Sequence, residues 1–265
     1  MKAIICKNMN KPDSPIVDDV IARLRGLGIE AEFSDGARSD CDLIITVGGD
    51  GTILHHGKAA AKLGKPLLGI NTGRLGFMTS LERKELDLLE QLKTREWQVC
   101  SRMMIDVEVG GAVYPALNDA VIYKDVNSKL PEFMVMTDGF VVSEFRADGL
   151  ILSTPTGSTA YALSAGGPII VPWVDCVELV PLCAHSLFGR PMILSAEKPV
   201  TVEFEGISET DNHSVFVSID GEKGLPLQKG QSVTVRKSGV RLNLIDLKGG
   251  SFYNAVHNKL MKPLK

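Results

Sequence analysis

The stretch "ITVGGDGTILHH", residues 45–56, sets three glycines around Asp50 between an apolar strand-like run and an apolar helix-like one. Strand, glycine turn and helix in that order put bare backbone N–H groups and a helix N-terminus at the carboxyl edge of a parallel sheet. Such a turn suits phosphate oxygens. Two uses compete: holding a dinucleotide for redox work, or cradling the phosphates of a nucleotide that is consumed. The carboxylate favours the second, because it repels bound phosphates unless a metal or a substrate hydroxyl offsets it, whereas base-assisted phosphoryl transfer requires an acid at that place.

The neighbouring segments extend the same pattern. "AIIC" (3–6), "IEAEF" (29–33), "DLIITV" (42–47) and "PLLGI" (66–70) read as strands. Between them lie helical patterns: Ser14-Pro15 offers an N-cap and a first-turn proline before Ile16, Val17, Val20, Ile21 and Leu24, and 52–63 and "ERKELDLLEQLK" (82–93) follow. This β-α-β series predicts a Rossmann-like α/β domain over 1–102. After Met103 the rhythm changes to short alternating runs: "IDVEV" before Gly110-Gly111, "EFMVMT" before Asp138-Gly139, "FVVSEF", "PVTVEF", "SVFVSI" before Asp220-Gly221, "SVTVRK" and "VRLNLI". Asp-Gly between such runs is a strong hairpin signal. A β-rich domain is expected over 103–245, broken by one helix around Ser158–Ala165, with 246–265 as a tail that packs back on the first domain.

Composition narrows the class. The 265 residues, 44% hydrophobic and 23% charged with a net charge of -3, describe an ordinary globular protein without the basic footprint that captures a polyanion. Nucleic acid is excluded as a partner. No apolar run reaches the roughly 20 residues of a membrane span, which points to the cytoplasm and away from a membrane. Five scattered cysteines, Cys6, Cys41, Cys100, Cys176 and Cys183, read as buried reduced thiols. Asn212-His213-Ser214 fits a glycosylation acceptor but carries no meaning in a cytoplasmic chain.

Two other glycine patterns are set aside. "GLGIEA" (26–31) follows a helix and precedes a strand, so it reads as a helix C-cap. "GTILHHGKA" (51–59) spaces its glycines by five residues, not four, and has Ala59 where a magnesium-binding hydroxyl belongs. Two polar constellations remain. "ALNDAVIYK" (116–124) carries Asn118 and Asp119, adjacent amide and carboxylate groups suited to a vicinal diol. "RADGLILSTPTGSTAYALSAGGPII" (146–170) runs from Arg146 and Asp148 through a strand into a hydroxyl-rich helix start at about Thr159, with Tyr161 able to stack or to fill a core.

In this order "GGDGT" (48–52), "ND" (118–119) and "DGLILSTPTGSTAYALSAGGP" (148–168) closely resemble the NAD kinase family, and "GINTGRLGF" (69–77) and "SIDGE" (218–222) fit it too. "GGDGT" is shared with lipid kinases and, more loosely, with phosphofructokinases; "TPTGSTAYALSAGGP" discriminates. The resemblance implies phosphorylation of NAD at its adenosine-ribose 2′-hydroxyl to give NADP, with ATP or another polyphosphate as donor and a divalent metal, Mg²⁺ or Mn²⁺. It implies Asp50 as proton acceptor, Gly48, Gly49, Gly51 and Thr52 as the donor-phosphate loop, and Asn118 with Asp119 as ribose and adenosine contacts. Arg146, Asp148, Thr159, Ala160, Tyr161 and Ser164 would line the dinucleotide site, with Gly51, His55 and Glu222 beside it. No residue is assigned as a metal ligand. The family commonly has Asn-Glu where this chain has Asn118-Asp119, often Arg or another polar residue at His55, and in several members Gln at Glu222. The resemblance also implies a ligand cleft between the two domains and a homodimer or homotetramer whose site is shared between subunits. A lipid or sugar kinase built on the same loop, or a non-catalytic NAD(P)-sensing module, are the alternatives.

Overall fold

A computed structural model of the chain describes residues 1–7, 15–73, 76–94, 97–126, 128–186, 189–204 and 215–261. They gather into two compact units, one of Met1–Arg102 with Val240–Lys265, the other of Met103–Gly239. Ser14 as a helix cap, Arg74 and Leu75 within "GINTGRLGF", and Asn212-His213-Ser214 lie outside the described residues.

The first unit is built on a parallel sheet. Its elements are β1 (Lys2–Lys7), α1 (Pro15–Gly26), β2 (Glu30–Phe33), β3 (Leu43–Val47), α2 (Asp50–Lys62), β4 (Leu67–Asn71) and β5 (Leu81–Glu82). All five residues of β3 and of β4 are buried, as the apolar runs require of strands covered on both faces. Strands pair in the order β2-β1-β3-β4, all parallel. The chain therefore steps outward from β1 to β2 and returns past β1 to β3. That reversal makes the carboxyl ends of β1 and β3 the switch point where ligands bind in doubly wound folds. The loop 48–52 leaves β3 at this point. "GLGIEA" closes α1 as expected, with Leu27 N–H on the Arg23 carbonyl at 3.0 Å and Gly28 at φ +76°. "GTILHHGKA" lies wholly within α2.

The second unit is a sandwich of antiparallel strands. The chain enters it within β6 (Gln98–Val109), after Arg102, continues through β7 (Ala112–Ala116), β8 (Asp119–Lys124), β9 (Glu132–Thr137), β10 (Phe140–Arg146), β11 (Gly149–Ser153), α3 (Tyr161–Ser164), β12 (Cys176–Leu182), β13 (Met192–Ser195), β14 (Val200–Phe204), β15 (Val215–Ile219) and β16 (Leu225–Leu227), and leaves it within β17 (Ser232–Asp246), after Gly239. One layer runs β10-β9-β14-β17 and the other β13-β12-β11-β8-β15-β16. Phe133, Val202, Phe204 and Val235 from the first layer share a buried cluster with Ile122, Leu150, Leu152 and Val217 from the second. Asp138 at φ +53° and Gly139 at φ +80° make the β9–β10 turn that Asp-Gly predicts.

Three expectations need correction. The helix around Ser158–Ala165 is a 3₁₀ turn, Gly157–Thr159, and a separate four-residue α3, because Ala160 takes φ -105°, ψ -125° and interrupts the helical path. "ERKELDLLEQLK" forms a 3₁₀ run, Arg83–Lys93, kinked at Glu85; Leu86, Leu89 and Leu92 are spaced by three and so share one face of a three-residue turn. "SVTVRK" and "VRLNLI" are one strand, β17, not two. Its start pairs with β14 (Val200↔Val235) and its end with β4 (Leu244↔Leu67), so Ser238-Gly239 stays extended instead of turning.

Glu178 stands out in the second unit. It is fully buried on β12 opposite Ser153, and neither carboxylate oxygen has a hydrogen-bond partner among the described residues. Burial pushes its carboxyl up to about 7. A Cβ at Gly167 would overlap its Oε1, so the glycine is what admits the acid. From the ordinary value of 4.5 up to about 7 the native chain holds a proton that the unfolded chain has released, so this group's stabilising share falls as pH rises through that window and then levels. Glu178→Gln removes the ionisation while keeping the shape. Calorimetry should find its melting temperature above wild type by roughly 2–6 °C at about pH 8 and equal to it near pH 4.5 or below.

Candidate functional site

In the first unit the loop after β3 is shaped by what its glycines exclude. A Cβ on Gly48 would overlap the Thr52 hydroxyl, which packs back over the turn, whereas Gly49 and Gly51 face open space with nothing within 4 Å of an added Cβ. Gly48 N–H is fixed on the Ile70 carbonyl of β4 at 2.9 Å. Gly49 is extended, φ -95° and ψ -170°, so α2 begins at Asp50; the Thr52 N–H already bonds the Gly49 carbonyl at 2.9 Å, while the N–H groups of Asp50 and Gly51 have no carbonyl a turn behind them.

Asp50 is half-buried and held by two main-chain donors: Phe77 N–H to Oδ2 at 2.8 Å and Met78 N–H to Oδ1 at 3.1 Å. A Cβ on Gly76 would overlap Oδ1, so this glycine lets the carboxylate lie against the backbone. The residues 76–79 form no regular element; Thr79 Oγ1 accepts from Gly76 N–H at 3.1 Å, and Lys259 Nζ sits 4.3 Å over the Phe77 ring. A carboxylate has about four lone-pair sites, so two remain uncommitted. His55 is exposed on α2, while His56 is buried, its Nε2 3.3 Å from the Lys7 carbonyl and its basicity lowered by burial.

The second unit gathers Asn118, Asp119 and the 153–158 turn around Asp220. The Asp220 carboxylate accepts N–H bonds from Leu117, Asn118 and Asp119 at 3.0, 2.8 and 3.2 Å, and Asp220 itself sits at φ +51°. Thr154 locks the facing strand: its hydroxyl donates to the Leu117 carbonyl at 2.6 Å and accepts from Gly157 N–H at 3.1 Å. Gly157 is pressed on the Asn118 carbonyl, where a Cβ would not fit. Ser158 Oγ accepts Ile170 N–H at 3.0 Å and donates to the Pro155 carbonyl at 2.7 Å. Within this frame Asn118 Oδ1 and Thr156 Oγ1 are buried without a hydrogen-bond partner among the described residues. Buried oxygens left unpaired cost free energy unless something fills them. Asp119 is 5% exposed, and burial followed by the Asp220 charge pushes it up to about 7, so it both donates and accepts near neutral pH.

The other sequence-derived positions spread out. Arg146 is exposed and 3.7 Å from Glu132, and Asp148 is 3.6 Å from Lys124, so the two do not pair with each other. Thr159 and Ala160 are half-buried, and Tyr161 and Ser164 are exposed along α3. Tyr161 is 50% exposed, which removes the core reading and leaves its ring on the surface. Glu222 is exposed at the end of the Asp220 turn, its carbonyl accepting Ser218 Oγ at 2.7 Å. Three residues escaped sequence reading: Asp220, Thr154 and the buried Arg102 of β6. The first two act through main-chain contacts with residues distant in sequence; only Arg102, a lone cation among the apolar residues of a strand, carried a signal.

Comparison with known proteins accounts for both halves. Residues 4–96 match the ATP-NAD kinase N-terminal domain and residues 117–247 the ATP-NAD kinase C-terminal domain. The NAD kinase of Alcanivorax borkumensis is 38% identical over 247 residues, spanning 91% of this chain and 81% of its own. That of Legionella pneumophila is 39% identical over 225 residues, 83% and 75% of the two chains. Among solved structures, the Archaeoglobus fulgidus NAD kinase in complex with ATP superposes with a TM-score of 0.78 at 27% identity over 96% of each chain. Yeast NADH kinase complexed with NADH has the same fold, with a TM-score of 0.84 at 21% identity over 100% of this chain and 88% of that one. On these matches across both of its units, the chain belongs to the NAD kinase family.

Proposed function

We propose that the protein transfers the terminal phosphoryl group of ATP or another polyphosphate to the 2′-hydroxyl of the adenosine ribose of NAD, giving NADP, with Asp50 as the proton acceptor. The observation that carries this reading is the seating of Asp50 at the switch point of a parallel sheet, braced by two amides with half its lone pairs uncommitted. As the 2′-oxygen bonds to phosphorus, the bond from phosphorus to the donor's bridging oxygen breaks, and the hydroxyl proton passes to Asp50. The bare N–H groups of Gly49, Gly51 and the start of α2 take the donor's phosphate oxygens, neutralising charge where it develops. In the second unit, Asn118 and Asp119 take the adenosine end, with the unpaired Asn118 Oδ1 as acceptor and the near-neutral Asp119 as donor or acceptor. Thr159, Ala160, Tyr161, Ser164, Arg146 and Asp148 complete the dinucleotide contacts, and His55 and Glu222 sit at their margin.

Among the described residues no group of three or more His, Cys, Asp or Glu side chains is placed to hold a metal ion. A divalent ion would be carried on the donor's phosphates instead. No described helix is long and apolar enough to cross a membrane. Five free cysteines fit a reducing compartment, and we place the protein in the cytoplasm as a homodimer or homotetramer. Asp50 also separates this reading from a sensing module, which has no use for a base at the reacting hydroxyl.

Asp50→Asn should lower kcat by about 10²–10⁴ with NAD affinity by calorimetry within about threefold of wild type, since general-base help has that size. A variant turning over at the wild-type rate overturns the assignment. Gly49→Ala tests the loop separately: its backbone is one any residue adopts and its Cβ meets nothing, so folding is unaffected. The methyl group should raise KM for the phosphate donor about tenfold while KM for NAD stays level. An unchanged donor KM would mean the phosphates bind elsewhere.

A further inference from the structure

Arg102 is 4% exposed in the first unit, and its Nε has no hydrogen-bond partner among the described residues. Its Nη2 donates to the Phe77 carbonyl at 3.4 Å. Burial pulls its pKa down, and contact with Cys100, which includes a side-chain hydrogen bond, together with the charges of Asp50 and Asp246 opposes that pull. A desolvated guanidinium is costly, and an apolar side chain of similar size often serves a fold equally well or better. As a structural brace this one is poorly matched: besides the Cys100 thiol it has one long bond to a carbonyl, and its Nε is idle. Its position is better explained by what it touches.

Phe77 presents both faces of one peptide chain to the two charged groups. Its N–H holds Asp50 Oδ2 at 2.8 Å, and its carbonyl takes Arg102. Because residues 76–79 belong to no helix or strand, no ladder of backbone bonds fixes the two amides that aim Asp50. Their position depends on side-chain ties. Thr79 Oγ1 holds Gly76 N–H, and the Ser80 N–H is pinned on the Gly69 carbonyl of β4 at 2.9 Å. Asp246 is anchored separately: it accepts Ser251 Oγ at 2.6 Å and the N–H groups of Lys248 and Gly249 at 3.0 and 3.1 Å. Asp246 therefore meets its own needs without Arg102, and so does Asp50. What the guanidinium adds is a cation fixed behind the segment that orients the base.

We infer that Arg102 is a positioning residue for phosphoryl transfer, bracing the Phe77 carbonyl so that the Phe77 and Met78 amides hold the Asp50 carboxylate in its reactive orientation. This rests on the reading of Asp50 as proton acceptor. Arg102 touches neither substrate and acts through residues 77–78.

Steady-state kinetics and thermal unfolding of Arg102→Met and Arg102→Lys test it, with Asp50→Asn measured alongside. Arg102→Met should lower kcat at least about tenfold, with KM for NAD and for ATP within about twofold of wild type. Its unfolding should stay cooperative, because both carboxylates keep their backbone donors. Arg102→Lys, which keeps the charge but not the planar fork, should recover part of the lost kcat. A kcat within twofold of wild type for Arg102→Met overturns the inference, as does a loss that appears in KM alone. Should Arg102→Met fail to fold, Arg102→Lys decides: reduced kcat at unchanged KM supports the role, and wild-type kcat ends it. An inactive Asp50→Asn beside a normal Arg102→Met sinks only this inference, whereas an active Asp50→Asn sinks the base assignment beneath it.

Discussion

The pair of amide bonds from Phe77 and Met78 to Asp50 ties the glycine loop after β3 to a segment 27 and 28 residues further along the chain. A carboxylate on a helix start would otherwise sample several rotamers and turn toward water. Two donors of fixed separation leave it one. Both ends of the arrangement require glycine, for different reasons. At Gly48 the missing side chain makes room for Thr52, and at Gly76 it makes room for the carboxylate itself. The parallel sheet matters here because β3 and β4 are neighbours: the residues that follow each strand emerge together, which brings 48–52 and 76–79 within reach.

The second unit solves a similar problem with the roles exchanged. There the carboxylate of Asp220 collects three main-chain N–H groups, at 117–119, and so fixes the backbone from which Asn118 and Asp119 project. Thr154 and Gly157 close the other side, against the carbonyls of Leu117 and Asn118. Asp220 is thus spent on structure, and its charge helps lift Asp119 toward neutrality. One acid organises the turn while the other, with its raised pKa, can donate or accept a hydrogen bond near neutral pH.

Much of this was legible in the sequence, and the boundary of legibility is physical. The buried runs of β3 and β4, the glycine turn between β3 and α2, and the Asp-Gly hairpin at 138–139 are local patterns, each decided within a dozen residues. Asn118, Asp119 and Asp50 could be singled out because polar residues at strand ends are conspicuous. What could not be read is what depends on contacts across the chain. Asp220 looks like any hairpin aspartate, and its work is done 101 to 103 residues away. Ser238-Gly239 looks like a turn, yet it stays in a strand because both flanks of β17 find partners. The broken helix at Ala160 follows from the tight hydroxyl contacts of Thr154 and Ser158, which hold the preceding turn in place. Propensity alone gives no warning of them.

Unpaired polar atoms sort themselves by how they can be relieved. Asn118 Oδ1 and Thr156 Oγ1 are neutral oxygens that no proton transfer can satisfy, so each costs on the order of 1–3 kcal/mol until a donor arrives from outside the chain. They lie in the stretch of the second unit where the adenosine end is proposed to bind, and a ligand's hydroxyl or amino group would remove that cost on binding. Glu178 is a different case. Its oxygens are equally idle, but an acid can relieve itself by staying protonated, and its elevated pKa is that relief. Arg102 has neither option, since a guanidinium does not give up its proton in a protein. A permanent charge in a buried place must be balanced by fixed charges, and the carboxylates whose charge reaches it are Asp50 and Asp246. The same electrostatics that makes the cation tolerable therefore couples it to Asp50, the proton acceptor proposed above.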